Sequence, residues 1–251
     1  GSGDTARRAV EARHGRYYAS LSSDRAGVRE LRDIENVVAA CRRAVASANT
    51  AIAVRACSAA WELLRLRGPY RLAIELAAAV EAMSGIAEGD FANLLFVRGR
   101  SLFVSGDRER AKPYLVRARE ESARLGDHHA EGRALASLAE GSLLEGSIDE
   151  AAPLYKAALA AADRSGDSSL KCSVLNGYGT YFNNMGLHVE AREQFEAALE
   201  LARATGDLRW EAGSLGNLGQ VFAVLGFGDR AVEFHERAVS MSQEIGDRLW
   251  E

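Results

Sequence analysis

The chain has 251 residues, 47% hydrophobic and 26% charged, with three prolines and 24 glycines, a composition suited to a folded protein with a large core and glycine-rich turns. A formal net charge of −4 gives no support for nucleic acid as the main partner. No apolar run approaches the ~20 residues of a membrane span, and no signal-peptide pattern opens the chain.

Cys41, Cys57 and Cys172 are few, odd in number and scattered. They fit small core residues in a reducing cytoplasm better than a disulfide framework. Residues 1–3, Gly-Ser-Gly, read as a cloning scar. A helical N-terminal region, 4–49, follows. Its first helix, 4–24, carries Val10, His14, Tyr17, Tyr18 and Leu21 roughly on one stripe. Its second, 27–47, carries Leu31, Ile34, Val38, Cys41 and Val45. Residues 50–89 form a degenerate helical pair. Helix 51–66 carries Val54, Trp61 and Leu64, Gly68-Pro69 breaks it, and helix 69–84 carries Leu72, Leu76, Ala79 and Met83.

Residues 90–247 organise the rest. Gly126-Asp127, Gly166-Asp167, Gly206-Asp207 and Gly246-Asp247 recur every 40 positions. Gly106, Gly146, Gly186 and Gly226 keep the same interval, as do Ala111, Ala151, Ala191 and Ala231, and then Ala118, Ala158, Ala198 and Ala238. Self-similarity at this period marks a solenoid of stacked units. Each unit reads as two helices. In the last, Leu215, Leu218, Gly219 and Phe222 share one face of the first helix. Ala231, Phe234, Ala238, Met241 and Ile245 share one face of the second. Gly226 ends the first helix by a left-handed residue, and the Asp of each Gly-Asp pair caps the helix that follows. Gly99, Gly179 and Gly219 hold one mid-helix slot, filled by Ala139 in the remaining unit. A mid-helix glycine costs roughly 1 kcal/mol relative to alanine, so a close helix crossing is expected there. The small residues Ala111, Ala151, Ala191 and Ala231 are expected on its other side.

The order Leu215, Leu218, Gly219, Phe222, Gly226, Ala231, Ala238 resembles a tetratricopeptide repeat. Units of this length are similar to those of kinesin light chains and of sensor arrays in bacterial signal-transduction ATPases. The resemblance implies an all-α, right-handed superhelical solenoid of helix-turn-helix hairpins, with ligands on a concave face lined by the first helices. The stretches 12–21 and 30–40 resemble a second thing: the helical region leading into such repeats in large bacterial transcription regulators that carry a nucleotide-binding switch. The switch's phosphate-binding motif is absent from this sequence, so its nucleotide chemistry is not assigned here. Gly206 to Glu211 is nearly repeated by Gly246 to Glu251, so 248–251 read as the start of a further unit and the chain as a piece of a longer protein. Such an end would leave Phe234 or Met241 partly exposed.

Catalysis is not expected. His128-His129 lacks the helical spacing and further ligands of a metal site and reads as a solvated helix start. His14, His188 and His235 are isolated. His235 shares its slot with Leu115, Tyr155 and Phe195, which places it at the core or its edge. No serine lies in a nucleophile-elbow pattern. No cofactor or metal is expected. Phe182, Phe195, Phe222 and Phe234 fall at core spacing, and Trp210 and Trp250 share a slot best read as packing.

Specificity should lie where residues vary on a fixed frame. The resemblance assigns to the inner surface, unit by unit, Asn93, Phe96, Arg100, Phe103 and Val104; Arg133, Ala136, Glu140, Leu143 and Leu144; Ser173, Asn176, Thr180, Asn183 and Asn184; then Gly213, Gly216, Gln220, Ala223 and Val224. Phe96, Phe103, Leu143 and Leu144 are expected to form an apolar wall. Asn176, Asn183 and Asn184 are poor helix formers. They read as outward-facing groups, replaceable by alanine at no loss of stability. The candidate ligand residues are Arg100, Arg133, Glu140, Asn176, Thr180, Asn183, Asn184 and Gln220. The expected partner is a protein or peptide, with an upstream module of the same chain as one candidate. Nucleic acid and membrane are not expected as partners of this segment. The reading is a cytoplasmic sensor or scaffold segment of a bacterial signalling or transcription-regulatory protein. The alternative is a small-molecule inducer sensor that uses the same groove.

Overall fold

The computed structural model describes residues 31–245. The first helix expected over 4–24, the scar, Trp250 and the expected start of a unit at 248–251 lie outside the described residues. Among those described, the chain is all-α, with eleven helices and no strand. It divides into two compact units at Leu125/Gly126.

The first unit holds α1 (Leu31–Ala46), α2 (Thr50–Arg67), α3 (Tyr70–Glu81), α4 (Glu88–Val104) and α5 (Arg108–Leu125). Its core gathers Val37, Cys41, Val54, Cys57, Trp61, Leu64, Leu76, Val80, Leu94 and Val97. Cys41 and Cys57 are both buried thiols. A hydrogen bond from Cys57 holds Cys41 below the usual thiol range, while that bond and burial push Cys57 up.

The second unit is three hairpins: α6 (His128–Leu144) with α7 (Ile148–Ser165), α8 (Ser168–Asn184) with α9 (His188–Thr205), and α10 (Leu208–Val224) with α11 (Gly228–Ile245). Within it α6 touches α8 and α8 touches α10, so the first helices lie side by side. The turns follow from sequence chemistry. Gly126, Gly146, Gly166, Gly186, Gly206 and Gly226 all take positive φ, between 69° and 84°, which a side chain would strain. Asp127, Asp167 and Asp207 then accept from the backbone N–H three residues on, at 2.8–3.1 Å, as expected of caps.

The mid-helix glycine is used differently from the expectation. A Cβ on Gly179 would lie 2.5 Å from Phe195 Cε1, on Gly219 2.7 Å from His235 Cε1, and on Gly99 2.9 Å from Leu115 Cγ. What crosses the glycine is therefore the large side chain of the partner helix, not the alanine four residues before it. Ala191 and Ala231 are still buried, but their small size serves other neighbours. In the α6/α7 hairpin the slot is Ala139. There Tyr155 instead lies against Gly177 of α8, where a Cβ would approach its Cε1 to 2.9 Å. Phe182, Phe195 and Phe222 pack as core, as their spacing implies. Trp210 donates from Nε1 to Ser169 Oγ at 3.1 Å, covering the start of the preceding hairpin.

Candidate functional site

The outward face of α6, α8 and α10 is a continuous surface of the second unit, because these helices are neighbours. Three rows cross it at the 40-residue interval. One is Glu140, Thr180 and Gln220, the next Leu143, Asn183 and Ala223, the last Leu144, Asn184 and Val224. Thr180, Asn184 and Gln220 are exposed, and Glu140, Leu143 and Asn183 half-buried. Leu144 and Val224 are 51% and 58% exposed, far above the level of a packed side chain. Amide and hydroxyl groups of α8 thus sit between exposed apolar residues on the helices either side, Leu144 on α6 and Val224 on α10. That arrangement can hold a chain by hydrogen bonds and seat its apolar side chains at either end.

The local geometry orients several of these groups. Thr180 Oγ1 donates to the Asn176 carbonyl at 3.0 Å, which leaves the oxygen lone pairs for an outside donor. Asn183 Oδ1 lies 3.0 Å from His188 Nδ1, tying the end of α8 to the start of α9. Beneath them the rings of Tyr155 and Tyr178 stack at 5.4 Å, and Tyr178 meets Phe182 at 4.5 Å. Burial, with the neighbouring Tyr181, pushes the Tyr178 hydroxyl above its ordinary range, so it stays neutral. Arg133 is half-buried at the near end of α6.

Asn176 departs from the expectation. It is 4% exposed and turned into the contact between hairpins. Its Nδ2 donates to the Cys172 carbonyl at 2.9 Å and to Ser214 Oγ at 3.0 Å, and its Oδ1 accepts from Asn217 Nδ2 at 2.8 Å. Gly216 holds the same repeat position on α10. Asn176 is therefore a packing residue after all, with its amide matched on both ends. Ser214 and Asn217 escaped the sequence reading. The available signal was a serine at a position held by Leu94, Ala134 and Val174 in the other units. Cys172, one turn before Asn176, is buried and donates to the Ala198 carbonyl at 3.5 Å. Burial first, then Asp207 and Asp167, push its thiol up to about 11.

In the first unit the corresponding residues lie on α4. Arg100 is half-buried with its guanidinium 4.8 Å from the centre of the Phe103 ring. Phe96 and Phe103 are each only 7% exposed, so they do not form the expected apolar wall. Phe103 packs with Leu102, Ala111, Ile74 and Tyr114, which covers it. Asn93 donates to Ser58 Oγ at 2.8 Å and links α4 to α2. Among the described residues no group of three or more His, Cys, Asp or Glu could hold a metal ion. None of the described helices is long and apolar enough to cross a membrane.

Comparison with known proteins places this geometry in a wider set. Residues 170–244 match the model of the tetratricopeptide repeat. No curated protein sequence matches the chain. Among solved structures, BtubC (BKLC) from P. vanneervenii is 19% identical with a TM-score of 0.67, the match covering 85% of this chain and 92% of that one. A Rap protein solved in complex with Competence and Sporulation Factor is 14% identical, with a TM-score of 0.73 over 96% of this chain and 78% of that one. A Signal Transduction ATPase with Numerous Domains from Pyrococcus horikoshii, with a tetratricopeptide repeat sensor, is 20% identical. Its TM-score is 0.66 over 98% of this chain but 36% of that protein, so this chain spans about a third of its length. At these identities the likeness is one of fold.

Proposed function

We propose that this chain, whose residues 170–244 match the tetratricopeptide repeat, binds a protein or peptide segment along the face of α6, α8 and α10, as the sensor or scaffold part of a cytoplasmic bacterial regulator. Thr180, Asn184 and Gln220 contact the ligand, Glu140 and Asn183 flank it, and Arg133 meets its charged groups. The carrying observation is the set Thr180, Asn184 and Gln220, exposed on two touching helices between exposed Leu144 and Val224. Exposed polar groups at matched repeat positions suit an extended backbone, which presents donors and acceptors at regular intervals. A Rap conjugation gene regulator of the plasmid pLS20, solved in complex with the Phr* peptide, supports a peptide ligand by its fold alone. An upstream module of the same chain is a second source of such a segment. The proposed role is binding, with no catalytic step.

Affinity selection of a peptide library on this chain tests the reading, followed by calorimetric titration of the selected peptide. Changing Thr180, Asn184 and Gln220 together to alanine should weaken binding at least about tenfold, or ~1.4 kcal/mol, while the melting temperature stays unchanged. Unchanged affinity with the triple variant would move the ligand off this face.

A further inference from the structure

The second unit exposes large apolar side chains in an unusual place. Seven of its large apolar residues are 44–58% exposed; Leu208 and Val232 stand apart, and the other five are Leu144, Leu187, Val189, Val224 and Phe227. All five lie at the turns that join the first helix of a hairpin to the second, or in the adjoining helical turn. Leu187 and Phe227 hold the same repeat position, as do Leu144 and Val224. Because α6, α8 and α10 lie side by side and α9 touches α10, these turns share one edge of the unit. Scattered exposed leucines need no explanation, but a row along one edge does.

Charge identifies what would cover it. The segments 144–150, 184–190 and 224–230 hold five acids, Glu145, Asp149, Glu150, Glu190 and Asp229, against one arginine, Arg230. The Arg230 guanidinium is already engaged 5.6 Å from the centre of the Phe222 ring. Acids are favoured at the start of α7, α9 and α11 by the helix dipole. The dipole alone does not require the excess. The matching turn of the first unit, 104–110, carries two acids and two arginines, with Asp107 and Arg110 paired at 3.0 Å. It also has no apolar residue at the position of Leu187 and Phe227, where Asp107 stands. Apolar exposure and acidic excess therefore appear together at these turns of the second unit and not at the matching turn 104–110.

We propose that this turn edge, which adjoins the face of α6, α8 and α10 at Leu144 and Val224, is a second docking surface centred on Leu187, Val189 and Phe227, and that its partner is a cationic amphipathic segment. The partner's apolar side chains cover Leu187, Val189 and Phe227. Its lysines or arginines meet Asp149, Glu190 and Asp229. A second copy of this chain fits poorly. In a two-fold pairing the same patch meets itself, which would set these carboxylates against one another.

The probe is a synthetic leucine–lysine amphipathic peptide, with the same peptide carrying glutamate for lysine as its counterpart. Fluorescence anisotropy should show saturable binding of the lysine peptide that weakens as salt is raised, and no binding of the glutamate peptide. Leu187→Ser with Phe227→Ser should weaken binding at least about tenfold. Both side chains are about half exposed, at 44% and 54%, and circular dichroism should show an unchanged fold. Asp149→Lys with Asp229→Lys gives an independent readout and should abolish the salt-dependent part. The Thr180, Asn184 and Gln220 triple variant should bind the probe as the parent does, which separates this surface from the face proposed above. Equal binding of both peptides, or parental affinity in both double variants, would overturn the proposal. So would sedimentation showing a dimer that the Leu187 and Phe227 changes dissolve.

Discussion

Two kinds of contact hold the second unit together, and they differ in how they repeat. Inside a hairpin, a glycine on the first helix faces a large side chain on the second: Gly179 under Phe195, Gly219 under His235. The same device recurs in the first unit at Gly99 and Leu115. Between hairpins the contact is individual. Asn176, Ser214 and Asn217 form a buried hydrogen-bonded cluster joining α8 to α10. In the first unit Asn93 and Ser58 make a different link from a different repeat position. The hairpin is thus defined by shape, repeated unit after unit, while the stacking of one hairpin on the next is adjusted case by case with polar groups. In a stack where each unit touches mainly its neighbours, those adjustments set the local geometry of the ligand face.

The comparison breaks hardest at Gly179. Phe195 is 2% exposed and has nowhere to go. Gly179→Leu should destabilise by about 1–3 kcal/mol or more through overpacking. Chemical denaturation should show the midpoint falling. A parental midpoint would mean that the ring does not seat on the glycine.

The seam between hairpins should respond less, and through a different term. Asn176→Ala leaves Ser214 and Asn217 without their amide partner in a buried contact. Losing a buried partner costs about 1–2 kcal/mol. Asn184→Ala, on the same helix but exposed, should change stability by less than about 0.5 kcal/mol. Equal losses in the two variants, or a gain in Asn176→Ala, would show that the cluster contributes no specific stability.

These two contacts also mark where the sequence was readable. The 40-residue glycine and aspartate series foretold every helix end from Gly106 to Gly226, because positive φ and N-capping are demands of the local backbone. That Gly179 and Gly219 mark a close crossing was legible for the same reason. Which side chain crosses there was not. Ala191 and Phe195 sit one turn apart on the same helix face, and spacing alone does not choose between them. Asn176 was harder still. Its position lies at the border between the outward face and the neighbouring hairpin, and its orientation is fixed by hydrogen bonds with Ser214 and Asn217 about 40 residues away. A polar residue read alone looks solvent-bound, whereas a polar residue with partners across a helix contact is core. Thr180, Asn184 and Gln220 have no such packing partners facing them, which is why the periodic reading and the structure agree on their exposure.

The smallest effect should come at Gly219, where the same notch has a softer wall. A Cβ there would come within 2.7–2.9 Å of three ring atoms of His235, nearly the crowding seen at Gly179. Distance alone predicts two similar penalties for alanine. The difference lies in what surrounds the ring. Phe195 is enclosed, whereas His235 is exposed and lies on the outermost described helix, α11. The approached atoms are the far end of a side chain that can swing into solvent. Alanine also favours a helix interior over glycine by roughly 1 kcal/mol. The two terms oppose each other, so Gly219→Ala should leave stability within about 0.5 kcal/mol of the parent, while Gly179→Ala loses more. Adding His235→Ala removes the obstacle, and the double variant should then approach the full helix-propensity gain of about 1 kcal/mol. Denaturation of the three variants side by side checks this. A Gly219→Ala loss as large as that of Gly179→Ala, unrelieved by His235→Ala, would show that the crossing distance of the backbones, not the ring, requires the glycine.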